Sequence, residues 1–253
     1  MTAYLDPPGG NQLPRLFCFH HAGGGASLFR NWQRALSPHA SVWPVLLPGR
    51  EHRMREPRFV SLDPLIEDLD RELGPYLTVP HLFFGHSMGA LLAYRLACYR
   101  VARGDAGPRA LFVSAYSAPH LPSPFPVTGD VDDDRLTQLL DGIGGLPDDL
   151  PPQWRAELLA VFRDDMRVCA SQSETGASPL TCPIHLFGAD GDPLVDADDL
   201  GAWDRHTSGP TNVRILHGEH FYLRDSPADL LNELRPLLRG YAATAERPTA
   251  APC

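Results

Sequence analysis

Lysine is absent from this chain: every one of its 22 basic residues is an arginine. Against 31 acidic residues they leave a formal net charge of −9. That excludes broad attraction to nucleic acid or to an anionic membrane surface, since both need a positive field. The all-arginine usage reads as codon bias in a GC-rich genome rather than as mechanism. Cysteine is scarce and scattered. Cys18, Cys98, Cys169, Cys182 and Cys253 form an odd set with neither a CxxC pair nor Cys/His ligand spacing, so neither a disulfide framework nor structural zinc is expected. Long apolar runs are missing too, and no stretch reaches the length needed to span a bilayer. Residues 1–14 lack the basic segment and apolar run of a secretion signal. A reduced, cytoplasmic protein is the expectation, monomeric by default, with no nucleic-acid and no membrane partner.

What is present suffices for one well-buried domain: 253 residues, 43% of them hydrophobic and 21% charged, close to globular averages. From Arg15 onward short apolar runs alternate with longer amphipathic stretches, the order of an α/β fold wound about a mostly parallel sheet. Strands are expected at Arg15–His20, Val42–Leu47, His81–Phe84, Ala110–Ala115, Ile184–Phe187 and Asn212–Leu216. Helical spacing marks Ala26–Leu36, Leu62–Tyr76, Ala90–Arg103, Ala197–His206 and Ala228–Arg239. The stretch 117–178 breaks the rhythm with the Pro-rich run SAPHLPSPFP, an acidic segment, and helical patterns near 132–141 and 153–173. It reads as an inserted helical lid, placed to roof the crevice beyond the carboxyl ends of the strands. The expected organisation is a flexible N-terminus at 1–14, one domain at 15–241, and a disordered tail at 242–253.

The sharpest chemical signal is HLFFGHSMGALLAYRLA, in which an apolar strand runs into Gly85-His86-Ser87-Met88-Gly89 and on into a helical pattern. This is G-x-S-x-G in the strand–turn–helix setting of the α/β-hydrolase nucleophile elbow. A serine exposed on so tight a turn needs neighbours with little side chain, and Gly85 and Gly89 supply them. A helix beginning beside Ser87 also aims amides and a positive dipole end at an oxyanion. The serine requires a base, and the base an orienting acid, in the chain order Ser, Asp or Glu, His. His217 and His220 share the turn LHGEHFYL after the last apolar strand; His220, beyond Gly218-Glu219, is the better placed to turn inward. Asp190 and Asp192 both lie past the strand PIHLFGAD. Asp192 is preferred because Pro193 fixes the turn behind it, leaving Asp190 to bind loop backbone. The oxyanion donors are expected to be the amides of Met88 and of Ala22, the latter in the loop His21-Ala22-Gly23-Gly24-Gly25. That loop carries neither GxxxxGK[ST] nor GxGxxG, which argues against phosphate or dinucleotide binding.

Together, LFCFHHAGGGASLFRNW, LLPGREHRMREP, FFGHSMGALLAYRLA, PLTCPIHLFGADGDPLV and GEHFYL resemble the type II thioesterases that accompany polyketide synthases and nonribosomal peptide synthetases. The resemblance runs from Arg15 to about Arg239. It implies a discrete editing hydrolase that clears stalled acyl groups from the phosphopantetheine arm of acyl or peptidyl carrier proteins. By the same likeness Ser87, Asp192 and His220 form the triad, Met88 and Ala22 line the oxyanion hole, and the insertion is a mobile lid. Many members read Phe-Pro-Tyr-Ala-Gly where this chain has Phe19-His20-His21-Ala22-Gly23, which keeps Ala22 in register and alters what precedes it. No cofactor is implied, phosphopantetheine being part of the substrate. The basic run Arg50, Arg53, Arg55, Arg58 is a candidate docking site for an acidic carrier or its phosphate, with a plain solvated face as the alternative. Two rival functions stand beside this one. A carboxylesterase or lipase would use the same triad on oxygen esters, and a noncatalytic carrier-binding module would be expected to lack a triad residue.

Overall fold

In the computed structural model the described residues are 2–5, 13–123, 132–145, 151–173 and 178–245. Six strands form one sheet: β1 (Arg15–Phe19), β2 (Ser41–Val45), β3 (His81–His86), β4 (Leu111–Ser114), β5 (Ile184–Ala189) and β6 (Thr211–Leu216). Their order is β2-β1-β3-β4-β5-β6, and every neighbouring pair is parallel. After β1 the chain steps outward to β2, then returns to the other side of β1 as β3. The crevice between the carboxyl ends of β1 and β3 is therefore the topological switch point, the place where open α/β sheets bind ligands.

The sheet is covered on both faces, so its central strands read as unbroken apolar runs rather than as alternation. Alternation survives in where the side chains go. Leu16, Cys18, Leu82, Phe84 and Phe112 join Trp32, Leu36, Leu230, Leu234 and Leu238 on one face. Phe17, Phe19, Phe83, Leu111 and Val113 join Leu65, Ile66, Leu69, Leu91 and Leu96 on the other. The first face is roofed by α1 (Trp32–Leu36) and α8 (Pro227–Ala245), the second by α2 (Leu62–Leu73) and α3 (Met88–Ala102). Between β4 and β5 the chain forms α4 (Asp133–Gly142) and α5 (Pro152–Ala170); α6 (Ala197–Gly201) and α7 (Tyr222–Asp225) follow β5 and β6.

Several boundaries differ from expectation, each for a local reason. The helix expected over Ala26–Leu36 splits into a 3-10 turn at Ala26–Phe29 and the short α1, which ends where Ser37 turns extended ahead of Pro38. The pattern over Leu62–Tyr76 stops being α-helical at Leu73, because Gly74-Pro75 continues it as a 3-10 turn. Helix α8 runs to Ala245, past the expected start of the tail, and residues 246–253 lie outside the described residues.

The flexible N-terminus needs correction at residues 2–5. Tyr4 is buried, its hydroxyl donates to Asp68 at 2.5 Å, and Thr2 donates to Glu72. The Arg53 guanidinium stacks 4.0 Å from the Tyr4 ring centroid, and Leu5 pairs with Val45 in an antiparallel bridge. A phenol with an apolar body and a hydroxyl partner packs wherever both are met, and a short sequence window does not reveal partners some sixty residues away. Met1 and residues 6–12 of that segment lie outside the described residues. So do 124–131, 146–150 and 174–177 of the expected lid.

Candidate active site

The turn at Ser87 is built by exclusion. Strand β3 ends at His86 and α3 begins at Met88, so Ser87 alone makes the turn, at φ 53°, ψ −123°. Left-handed backbone is costly for a residue with a Cβ and persists only where the surroundings hold it. They do so through two glycines. A Cβ on Gly85 would stand 2.1 Å from the Gly89 carbonyl oxygen, and one on Gly89 would stand 2.1 Å from the Phe19 carbonyl oxygen. The Ser87 amide donates to the Ser114 carbonyl at 2.8 Å, which ties the turn to the end of β4.

His220 lies between β6 and α7, 1% exposed, and faces the serine. Its Nδ1 is 2.9 Å from Asp192 Oδ2 and its Nε2 is 3.1 Å from Ser87 Oγ. A carboxylate only accepts, so Nδ1–H donates to Asp192 and the Nε2 lone pair accepts from the serine hydroxyl. The Asp192 side chain is fully buried, and its Oδ1 accepts the Leu194 amide at 2.9 Å across Pro193. Asp190 forms a second, exposed pair: its carboxylate contacts His217 Nδ1 at 3.1 Å and accepts from the Gly218 amide at 3.0 Å. Its hydrogen bond to Asp190 raises the His217 pKa. Of the two Asp/His pairs, then, only Asp192–His220 reaches Ser87.

A buried network behind the histidine escapes the sequence reading. His86, the variable residue of the elbow motif, has Nε2 at 3.0 Å from the His220 carbonyl and Nδ1 at 2.8 Å from Ser114 Oγ. Burial pushes its pKa well below the usual value, so the ring is neutral and carries one proton. A carbonyl cannot donate; the proton sits on Nε2, and Nδ1 accepts from the Ser114 hydroxyl. Tyr222 Oη continues the network 2.5 Å from Ser114 Oγ and 3.1 Å from the Phe187 carbonyl. The His220 backbone is thus held by the residue beside Ser87. The one sequence signal was a histidine at the end of an otherwise apolar strand.

The loop after β1 approaches the same point. Phe19 is in register with Gly85, and Gly89 packs against the Phe19 and His20 carbonyls. Ala22 is buried, and neither its amide nor that of Met88 donates to an acceptor among the described residues. His21 Nδ1 donates to the Ala22 carbonyl at 2.8 Å, and burial lowers the His21 pKa to about 4. A cleft of about 490 Å³ opens beside this loop, with Leu140, Leu158, Phe162 and Phe221 among its walls.

The basic run does not form a free docking face. Arg50 and Arg53 are buried. Arg50 forks onto Asp165 at 2.8 and 2.9 Å; Arg53 bonds Glu56 and, at 2.7 Å, the Leu46 carbonyl. Arg58 bonds Asp164 at 2.7 Å and Glu157 at 3.3 Å on α5. Arg55 is exposed. Planar guanidinium forks are readily satisfied by carboxylates and carbonyls inside a protein, and three of these four arginines are used that way. Among the described residues no group of three or more His, Cys, Asp or Glu converges as metal ligands.

Comparison with known proteins points to one family. The model of the thioesterase domain family matches residues 14–238. A curated relative named linear gramicidin dehydrogenase LgrE, from Brevibacillus parabrevis, is 36% identical over 231 residues, covering 89% of this chain and 88% of that protein. The solved structure of RedJ, a thioesterase from the prodiginine biosynthetic pathway in Streptomyces coelicolor, is 38% identical with a TM-score of 0.85, covering 91% of this chain and 93% of that one. That of the type II thioesterase BorB, from the borrelidin biosynthetic cluster, is 31% identical with a TM-score of 0.81, covering 93% and 98%. The word dehydrogenase belongs to the first relative's name; the glycine-rich loop after β1 here lacks a dinucleotide fingerprint. With the family match spanning the sheet, the serine turn and the His220 loop, this chain belongs to the thioesterase domain family and is a thioester-hydrolysing enzyme of the α/β-hydrolase fold.

Proposed function

We propose that the protein is a stand-alone editing thioesterase that removes stalled or aberrant acyl groups from the phosphopantetheine arm of acyl or peptidyl carrier proteins in polyketide or nonribosomal peptide synthesis. The observation that carries the proposal is the line Asp192–His220–Ser87, 2.9 and 3.1 Å across its two hydrogen bonds, in a chain similar over most of its length to thioesterases of such pathways. Ser87 Oγ attacks the acyl carbon as His220 Nε2 takes its proton, and the Asp192 carboxylate stabilises the imidazolium that results. The oxyanion is met by the amides of Met88 and Ala22. Collapse expels a thiol of pKa about 8.5, a far better leaving group than an alkoxide or amine, so little general-acid assistance is needed. His220 then activates water against the acyl-serine. Neither a metal nor an organic cofactor takes part in this scheme.

The test presents one acyl group on a holo carrier protein, on pantetheine, and as a simple oxygen ester. The expected result is fastest turnover on the carrier, with kcat lowered at least about 1,000-fold in Ser87→Ala. Preference for the oxygen ester with no gain from the carrier would make the protein a general esterase instead.

A further inference from the structure

One cluster outside the reacting side chains joins the helices between β4 and β5 to the loop that bears the Ala22 amide. Asp165 of α5 is 2% exposed. Its Oδ2 accepts from the Gly23 amide at 2.8 Å and from Arg50 Nη1 at 2.9 Å, and its Oδ1 accepts from Arg50 Nη2 at 2.8 Å. Arg50 Nη1 also donates to the Gly24 carbonyl at 3.2 Å. The loop is pressed against α5: a Cβ on Gly23, whose φ is +73°, would meet Leu158 Cδ1 at 3.4 Å and Phe162 Cδ2 at 3.5 Å.

The Gly23 amide and the Ala22 carbonyl belong to one rigid peptide plane. His21 Nδ1 holds the carbonyl end at 2.8 Å and Asp165 holds the amide end at 2.8 Å. Pinning that plane fixes the backbone on the carboxyl side of Ala22, whose own N–H has no acceptor among the described residues. The charge balance has a further consequence. A bare carboxylate bonded one residue beyond an oxyanion donor would oppose the negative charge developing there, and the bidentate arginine offsets it.

We propose that Asp165 is a positioning residue for the oxyanion hole: by accepting the Gly23 amide it aims the Ala22 N–H, so that oxyanion stabilisation is complete only while α5 is seated on the loop. The inference rests on the assignment of Ala22 and Met88 as oxyanion donors given above. Arg50 neutralises the carboxylate and locks the seat.

Two variants separate this role from that of a mere latch. Asp165→Asn keeps an acceptor but loses the charge that holds Arg50. The double variant Arg50→Met/Asp165→Leu replaces the buried pair with apolar side chains, an exchange that often leaves stability unchanged or improved, and it removes the acceptor of the Gly23 amide. For the double variant, at unchanged Tm and circular dichroism, we expect kcat about tenfold lower or more, KM within about threefold, and affinity for an acyl trifluoromethyl ketone lowered in step with kcat/KM. Asp165→Asn is expected to fall between it and wild type. An unchanged kcat and unchanged ketone affinity in the folded double variant would overturn the proposal, as would a rise in KM alone. The ratios are taken on both an acyl-pantetheine thioester and a p-nitrophenyl ester. Failure of the thioester reading then appears as wild-type preference for the ester, and failure of this inference as ratios near one on both substrates.

Discussion

At the scale of single residues, the site separates two aspartates that the sequence places side by side. Asp192 faces the buried His220 and Asp190 the exposed His217. Asp192→Asn puts an amide opposite His220 Nδ1 and favours the wrong tautomer, so kcat should fall by about 100-fold or more while Tm moves little. Asp190→Asn should leave kcat within about twofold. Equal losses in the two variants would mean that the two pairs contribute alike and that Asp192 holds no special place. The meeting of Ser87, His220 and Asp192 was legible because each sits at local punctuation: flanking glycines, the end of a strand, a following proline. Asp165 and Ser114 were not. Their partners lie 115 and 28 residues away, and an aspartate on an amphipathic helix looks the same in sequence whether it meets solvent or a buried arginine. The internal pairing of Arg50, Arg53 and Arg58 was not legible for the converse reason, since a cluster of positive charge in sequence does not reveal which carboxylates fold over it.

At the scale of elements, close approach decides which glycines are required. Gly89 lies in the first turn of α3 with the Phe19 carbonyl where its Cβ would be. Gly89→Ala should therefore push α3 away from β1 and cost about 3 kcal/mol, together with most of the activity. Gly201, at the end of α6, has nothing within 4 Å of a Cβ, and Gly201→Ala should raise stability by up to about 1 kcal/mol. Urea denaturation of the two variants checks both, and a Gly89→Ala protein of wild-type midpoint would contradict the close packing of α3 on β1. The strands were read to within two residues at every end because continuous apolar runs between helical stretches leave little choice. The helices were less exact. The break at Arg30–Asn31 and the 3-10 continuation after Leu73 are settled by packing on the sheet, which a hydrophobic period does not encode.

For the whole molecule, the buried imidazoles set the response to acid. His81 is 1% exposed, its Nδ1 donates to the Val79 carbonyl, and its Nε2 has no partner. Burial lowers its pKa to about 4, and that of the more exposed His185 likewise. An unfolded imidazole takes up its proton near pH 6.5. Between these values the unfolded chain binds more protons than the folded one, so the stability from keeping the rings neutral is full above pH 6.5 and is lost as pH falls toward 4. His81 alone accounts for about 2 kcal/mol at pH 5, and Tm should drop by about 5 °C or more between pH 7.5 and pH 5; a His81→Leu variant should show a smaller drop. A flat profile in the wild type would mean that these rings are hydrated. Strand β2 is outermost on its side of the sheet, and an outermost strand offers a row of unpaired amides and carbonyls to any other extended chain. The Leu5–Val45 bridge and the Leu46 amide bonded to the Tyr4 carbonyl at 2.9 Å occupy part of that row with the protein's own first residues, and Pro44 has no amide to offer. A version of the protein trimmed back to β1 would uncover that row and present a bare template for intermolecular strand pairing.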